Sequence, residues 1–132
     1  MKTFILNFGH PLAPRVLQHL APAQEIKVGV HLALDAEPTA PQVVRVVDEA
    51  MEALKKQGVK TDGTASLMVV LPGMTEAAAV LLAELHGRTG SFPRVLALRR
   101  SRTDGTYGLF ADSAGLGVLD LEKVRQEARG RR

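Results

Sequence analysis

The stretch Ser66 to Gly90, SLMVVLPGMTEAAAVLLAELHGRTG, decides the fold, because a buried strand leads directly into a helix. The run Leu67 to Leu71 is apolar without alternation, which is typical of a strand covered by helices on both faces of a parallel sheet. A Pro-Gly turn ends this strand, Thr75 is predicted to cap the next helix, and Gly87 is predicted to end it. We therefore expect this strand at the centre of a parallel sheet.

Strands and helices alternate along the rest of the chain. The pattern predicts an α/β fold of one domain, residues 1–132: a Rossmann-like, mainly parallel sheet flanked by helices, with a carboxy-terminal hairpin and helix. The other predicted elements are a strand over Thr3 to Phe8, a helix from Pro14 to Leu20, an alternating strand near an edge over Glu25 to Leu34, a helix over Val43 to Leu54 closed by Gly58, a fourth strand over Arg94 to Leu98, a strand over Tyr107 to Ala111 paired with Leu116 to Leu119, and a last helix capped by Asp120.

The helix after the central strand is apolar almost all the way round. Such a helix needs cover from the sheet and from a second body, and a second subunit is the economical cover. We therefore expect a homodimer.

Composition excludes several classes of protein. There is no Cys, so disulfides, thiolate metal sites and cysteine nucleophiles are excluded. No apolar run approaches a membrane span and no basic-then-apolar leader opens the chain, which favours a cytoplasmic protein with no membrane partner. One Tyr, four Phe and no Trp are too few aromatic residues for stacking along a long single-stranded nucleic acid.

Charge is unevenly distributed along the chain. Residues 1–87 hold seven Lys/Arg against nine Asp/Glu, a net charge of −2, whereas residues 88–132 hold ten against five, a net charge of +5. The basic third indicates an acidic partner, and the alternative is ordinary solvated charge.

Common catalytic and cofactor signatures are missing. The chain has no G-x-G-x-x-G after the first strand, no G-x-x-x-x-G-K-[ST] and no G-x-S-x-G, which argues against a dinucleotide cofactor, an ATPase or GTPase, and a serine hydrolase. His19 and His31 have no carboxylate at metal-site spacing, so we assign no metal site. Because the signatures above are missing, we also assign no cofactor and no catalytic residue. His86 lies about 18 Å from the start of its helix and should face the opposite edge of the sheet from the candidate site.

Three loops predict a ligand site. In a parallel core the loops after strands one, three and four open on the same edge, where a helix start and positive charge favour an anion. The alternative is that the glycines only permit turns and the arginines are solvated. The candidate ligand-binding residues are Asn7, Phe8, Gly9, His10, Pro72, Gly73, Met74, Thr75, Arg99 and Arg100.

Two segments carry a resemblance to a known family. Leu6 to Leu12, LNFGHPL, and Ala78 to Arg99, AAVLLAELHGRTGSFPRVLALR, resemble the Csx-fifteen family of CRISPR-associated ancillary proteins. Within the first segment Asn7, Phe8 and His10 match the family motif. Gly9 departs from it, because the family pattern has Ser there. His86, Gly87 and Phe92 match the second segment.

The resemblance implies a homodimer similar to the CRISPR-associated Rossmann (CARF) sensors of type III immunity. Its ligand would be a cyclic oligoadenylate, with cyclic tetra-adenylate foremost, held between two copies of the three loops. The first hypothesis is a sponge that sequesters this messenger and damps the signal. The alternatives are a metal-independent ring nuclease assisted by His10 or Arg100, and a protein-protein adaptor that uses the apolar helix over Ala77 to Leu85.

Overall fold

The fold is a mainly parallel β-sheet with helices on both faces, as the sequence pattern predicts. The computed structural model describes residues 3–20, 22–27, 39–62, 64–100, 107–109 and 117–132, without the side chains of residues 27, 99, 100 and 107–109. In chain order the elements are β1 (Thr3–Asn7), α1 (Pro14–Leu20), β2 (Gln24–Lys27), α2 (Ala40–Lys56), β3 (Ser66–Val70), α3 (Thr75–Thr89), β4 (Arg94–Leu96), β5 (Leu98–Arg100), β6 (Tyr107–Leu109), β7 (Val118–Asp120) and α4 (Leu121–Arg129).

The sheet places the apolar strand β3 at its centre. The strand order is β2-β1-β3-β4-β7, with β1 parallel to both β2 and β3, and β3 parallel to β4. The predicted edge position of the second strand is confirmed for β2, while the rest of the predicted strand over Glu25 to Leu34, from position 28 onward, lies outside the described residues. The chain reverses its crossover direction between β1 and β3, which is the usual position of a ligand crevice in such sheets.

Two apolar clusters hold the helices on opposite faces of the sheet. Alternate residues of β1 separate between the clusters, because successive side chains of a strand point to opposite faces. Phe4 and Leu6 pack with α2 and α3, whereas Ile5 packs with α1. Val69 and Val70 divide in the same way on β3, which confirms that the central strand is covered on both sides.

The carboxy-terminal strands pair differently from the prediction. The fourth strand ends at Leu96, and β5 forms an antiparallel hairpin with β6 instead of continuing β4. The sequence pattern predicts that β7 pairs with β6, but β7 instead lies antiparallel to β4 at the edge of the main sheet. The physical reason is that β4 would otherwise leave the hydrogen-bonding groups of its outer edge unpaired. β7 pairs with these groups and also packs Val118 against the cluster that contains α1.

Both predicted ends of α3 are wrong. The helix begins at Thr75, and the cap residue before it is Met74, whose side chain makes no capping hydrogen bond. The helix continues through Gly87 to Thr89 and ends at Gly90, whose φ of 85° is the left-handed conformation that glycine adopts readily. A glycine inside a helix costs only about 1 kcal/mol relative to alanine, and the contacts of the next turn offset it.

Arg88 supplies two of those contacts. Its guanidinium lies 3.0 Å from Glu84 Oε2 on α3 and 2.7 Å from Asp48 Oδ1 on α2, so the last turn of α3 is tied to the neighbouring helix. Burial acts to lower the pKa of Arg88, but hydrogen bonds to the two carboxylates outweigh it and raise the pKa above its usual value. Arg88 therefore stays charged and the bridge between the helices is kept.

Helix α2 covers part of the surface of α3 that the sequence assigned to a second subunit. Ala77, Leu81 and Leu85 are buried in the cluster that α2 and α3 share. Among the residues with described side chains, the large apolar residues that are exposed are Leu119 and Val124, neither of which lies on α3. In the described part of the chain, no helix has the length and apolar character needed to cross a membrane.

Candidate functional site

The loops after β1, β3 and β4 meet at the carboxyl edge of the sheet, as predicted. They enclose a cavity of about 360 Å³. His10 comes from the first loop, Leu71 and Gly73 from the second, and Ala97 and Leu98 from the segment after β4. The convergence follows from the parallel pairing of three neighbouring strands, which brings their carboxyl ends to one edge.

The cavity is mainly apolar and has one titratable side chain among its described lining residues. Val70, Val95 and Leu96 form its inner wall, and His10, which is exposed, lies at its rim. Leu119 of β7 completes the lining while it is 46% exposed, a large value for a leucine that faces a concave surface. A ligand with a flat apolar body would cover Leu119 and leave its polar groups at the rim.

Asn7 builds the first loop instead of facing the cavity. Its side chain is buried, at 4% exposure. Its Nδ2 donates to the carbonyl oxygen of His10 at 3.0 Å and to Glu25 Oε2 at 2.9 Å, and its Oδ1 accepts from the backbone N–H of Gly9 at 2.9 Å. Because both hydrogens of the amide are used, Asn7 has no donor left for a ligand. Its role is to hold the turn that presents His10.

Phe8 also belongs to the scaffold, since its side chain is completely buried in the cluster with α2 and α3. Its backbone N–H donates to the carbonyl oxygen of Val70 at 3.0 Å and extends the pairing of β1 with β3. The two candidates adjacent in sequence, Asn7 and Phe8, thus position the loop rather than line the cavity.

Gly9 is required by the close approach of the first two loops. A Cβ atom at this position would lie 2.5 Å from the carbonyl oxygen of Leu71 and 3.2 Å from Cγ1 of Val70. The first of these distances is below any normal contact, and the atom it meets is backbone. A serine here would therefore force β1 and β3 apart or shift the loop, which is a steric reason for glycine at this position.

The second loop leaves its backbone accessible where α3 begins. Pro72 is buried, Gly73 is exposed and lines the cavity, and Thr75 is exposed in the first turn. Within α3 the first backbone hydrogen bond runs from Ala78 N–H to the carbonyl oxygen of Met74, at 3.0 Å. N–H groups before it have no acceptor inside the helix, which makes a helix start favourable for an anion.

Arg99 and Arg100 lie in β5, directly after the cavity residue Leu98. Their backbones pair with Gly108 and Tyr107 of β6, respectively. Their side chains lie outside the described part of the structure, so the sequence prediction of positive charge at this edge stays a prediction.

His86 and Phe92 lie at the other edge of the sheet, as expected from the length of α3. Their rings stack with centroids 4.3 Å apart and planes 29° apart. Leu119 is a cavity residue that the sequence pattern does not reveal, because the pattern assigns β7 to a hairpin with β6. An apolar residue next to a helix-capping aspartate does not indicate that its strand pairs with β4 at the edge of the main sheet.

Comparison with models of protein families, with curated proteins and with solved structures finds no match. Within the described ranges, no group of three or more His, Asp or Glu side chains is arranged to hold a metal ion. The geometry of the carboxyl edge is therefore what supports a function.

Proposed function

We propose that the protein binds a cyclic oligoadenylate, cyclic tetra-adenylate foremost, and sequesters it. The observation that carries the proposal is the cavity of about 360 Å³ at the carboxyl edge, formed by the loops after three adjacent parallel strands next to the start of α3. This is the place in an open α/β sheet where nucleotides are commonly held.

The lining suits the two parts of such a ligand. An adenine base presents apolar faces, which match the wall formed by Val95, Leu96 and Leu119. Its phosphodiesters present anionic oxygens, which match the N–H groups at the start of α3 and the guanidinium groups expected from Arg99 and Arg100. The resemblance of two segments to the Csx-fifteen family selects the cyclic oligoadenylate among nucleotide ligands.

A two-fold dimer would give this ligand two equal half-sites. Each protomer would then hold two phosphates of a cyclic tetra-adenylate ring. Leu119, nearly half exposed at the cavity, supports an arrangement in which ligand or a second copy covers the carboxyl edge.

The test is a single-turnover experiment with excess protein and labelled cyclic tetra-adenylate in EDTA. Intact ligand retained in a stable complex is the expected result. The double variant Arg99→Ala/Arg100→Ala should weaken binding at least tenfold, because each guanidinium contributes a charge-assisted contact to a phosphate. The matched control is Arg129→Ala/Arg131→Ala, which removes the same charge from the end of α4 and the tail. Equal losses in both double variants would contradict a site at this edge.

The exposed imidazole of His10 at the cavity rim favours a ring nuclease as the second candidate. In that reaction a ribose 2′-oxygen attacks the neighbouring phosphorus, the bond to the 5′-oxygen breaks, and the 2′-hydroxyl proton leaves through a base while the 5′-oxygen gains a proton. His10 would transfer one of these protons. Linear products in the same experiment would select this candidate, and His10→Ala should then lower turnover more than binding. Neither binding nor cleavage, with other ring sizes included, would favour the adaptor function.

A further inference from the structure

A second cavity, of about 330 Å³, lies at the amino edge of the sheet, opposite the site proposed for the cyclic nucleotide. It is formed where β3 and β4 begin and where α3 ends. Its polar lining includes Ser66, Arg94 and Asp120, and its apolar lining includes Val69, Leu85 and Phe92. Its size is that of a pocket for a small molecule.

A hydroxyl that is hydrogen-bonded to two side chains lies in this cavity. Ser66 Oγ accepts from Thr3 Oγ1 at 3.1 Å and also accepts from Nη2 of Arg94. Because a hydroxyl rotates, either member of the Thr3–Ser66 pair can donate, and when Thr3 is the donor the hydrogen of Ser66 is left for a ligand. Ser66 can therefore present a donor to a ligand in the cavity while Thr3 keeps its own hydrogen bond to Ser66.

Arg94 presents further donors and a positive charge. Its guanidinium has five N–H groups, and its hydrogen bond within the described ranges is the one to Ser66. Asp120 lies directly across from Arg94 in the β4–β7 pairing, yet the two form no ion pair within 4.0 Å. The carboxylate of Asp120 instead caps α4, where Oδ1 accepts from the backbone N–H of Lys123 at 3.1 Å. The half-buried cation thus lacks a carboxylate partner in the described structure.

The remaining walls are apolar and include an aromatic ring held in place. Phe92 stacks on His86 with a centroid distance of 4.3 Å, and the side chains of Val69 and Leu85 are buried behind the cavity. An apolar pocket with a few converging polar groups is the usual form of a small-molecule site.

We propose that this cavity binds a small organic carboxylate with an apolar body. The carboxylate accepts from Arg94, whose planar fork matches its two oxygens, and from the Ser66 hydroxyl. The body lies along Phe92, with the buried side chains of Val69 and Leu85 behind it. A monoanion fits better than a phosphate dianion, because one guanidinium balances one charge and Asp120 repels any excess. The proposal is independent of the cyclic nucleotide site at the opposite edge.

The test is a titration of the ¹⁵N-labelled full chain with 3-phenylpropanoate and with hexanoate, followed by NMR. The matched controls are 3-phenylpropanamide and hexanamide, which keep the body and lose the charge. We expect saturable shifts at the amides of Ser66 and Phe92 and at the Arg94 side chain, with no shift at Gly73. The carboxylates should bind at least tenfold more tightly than the amides.

Three variants make the result specific. Arg94→Gln should weaken carboxylate binding at least tenfold. Ser66→Ala, which serves as the second variant in case Arg94→Gln does not fold, should weaken it threefold to tenfold. Asp120→Asn should strengthen binding twofold to fivefold, because it removes a repelling charge while asparagine still caps a helix. No saturable shift with either carboxylate up to 10 mM, equal affinity for acid and amide, or shifts centred on Gly73 would each overturn the proposal.

Discussion

The two edges of the sheet differ in how much hydrogen-bonding capacity their polar residues retain. At the carboxyl edge the amide of Asn7 is buried and all of its donors are used within the protein. At the amino edge Arg94 and Ser66 line a cavity of similar volume with donors left over. Both cavities contain a candidate binding group, but the most polar motif residue of the carboxyl edge serves the scaffold.

A polar residue in a loop beside a strand can have one of two roles, which are to hold the loop in place or to bind a ligand. The position of a loop after a parallel strand follows from strand order, so the sequence can place it. Whether the side chain in that loop builds the turn or binds a ligand depends on contacts with residues far away in sequence, such as Glu25 for Asn7. A polar motif is therefore weaker evidence for a ligand contact than an unused donor that lines a cavity.

The largest effect on this comparison is expected from Asn7→Asp. The substitution removes both amide donors and places a carboxylate against Glu25, so we expect a loss of about 3 kcal/mol in the free energy of unfolding at pH 7. Burial and the Glu25 carboxylate would raise the pKa of the introduced carboxyl above its unfolded value. A raised folded pKa means that the destabilisation is greatest at neutral pH and diminishes as the pH falls through that pKa.

Urea denaturation at several pH values measures the Asn7→Asp effect. The matched control is Gln18→Glu, which makes the same chemical change on the exposed surface of α1 and should stay within about 0.5 kcal/mol of the parent chain. A loss no larger than the control would show that the Asn7 amide is dispensable to the scaffold. The two edges would then no longer differ in the way that their contacts indicate.

Gly9→Ser should have the next largest effect. The introduced Cβ would meet the carbonyl oxygen of Leu71 at 2.5 Å, so β1 and β3 must separate or the loop must shift. We expect a destabilisation of about 1–3 kcal/mol, which is typical of an added group in a packed interior. Gly73→Ser is the control, because no atom lies within 4 Å of a Cβ built there. Similar unfolding midpoints for the two variants would contradict the close approach of the loops.

The sequence predicted the central strand, the edge position of β2 and the meeting of three loops, since these depend on local apolar patterns and on rules for parallel sheets. It did not predict where α3 ends, because the last turn is held by Arg88 through Asp48 of another helix. It also assigned β7 to the wrong partner. Short strands such as Val118 to Asp120 carry little pattern, and the unpaired edge of β4 decided their pairing.

The same limit explains the uneven result for the candidate residues. His10 and Gly73 line the cavity at the carboxyl edge, and their contact with a ligand stays a prediction, whereas Phe8 is buried in the core, where an apolar residue at a strand end is commonly found. The amino-edge cavity escaped prediction altogether, because Ser66 and Arg94 are the first residues of their strands and are separated by 28 positions. No motif or spacing connects them.

Ser66→Ala should have the smallest effect, and it tests the amino edge directly. The change removes the acceptor for Thr3 and Arg94, which are only partly buried and can turn to water, so we expect a loss of about 0.5–1.5 kcal/mol. Ser91→Ala, in the same cavity, is the control and should be near neutral, measured by the same urea denaturation.

The size of the Ser66→Ala loss decides what the hydroxyl is for. If the variant loses as much stability as Asn7→Asp, the Ser66 hydroxyl holds the scaffold together to the same degree as the Asn7 amide. The donors of the amino edge would then serve the fold, and the polar residues of the two edges would differ only in how exposed they are to solvent. A small loss, together with a carboxylate that stabilises the parent chain more than the variant, would show that the hydroxyl is a binding group and not a structural one.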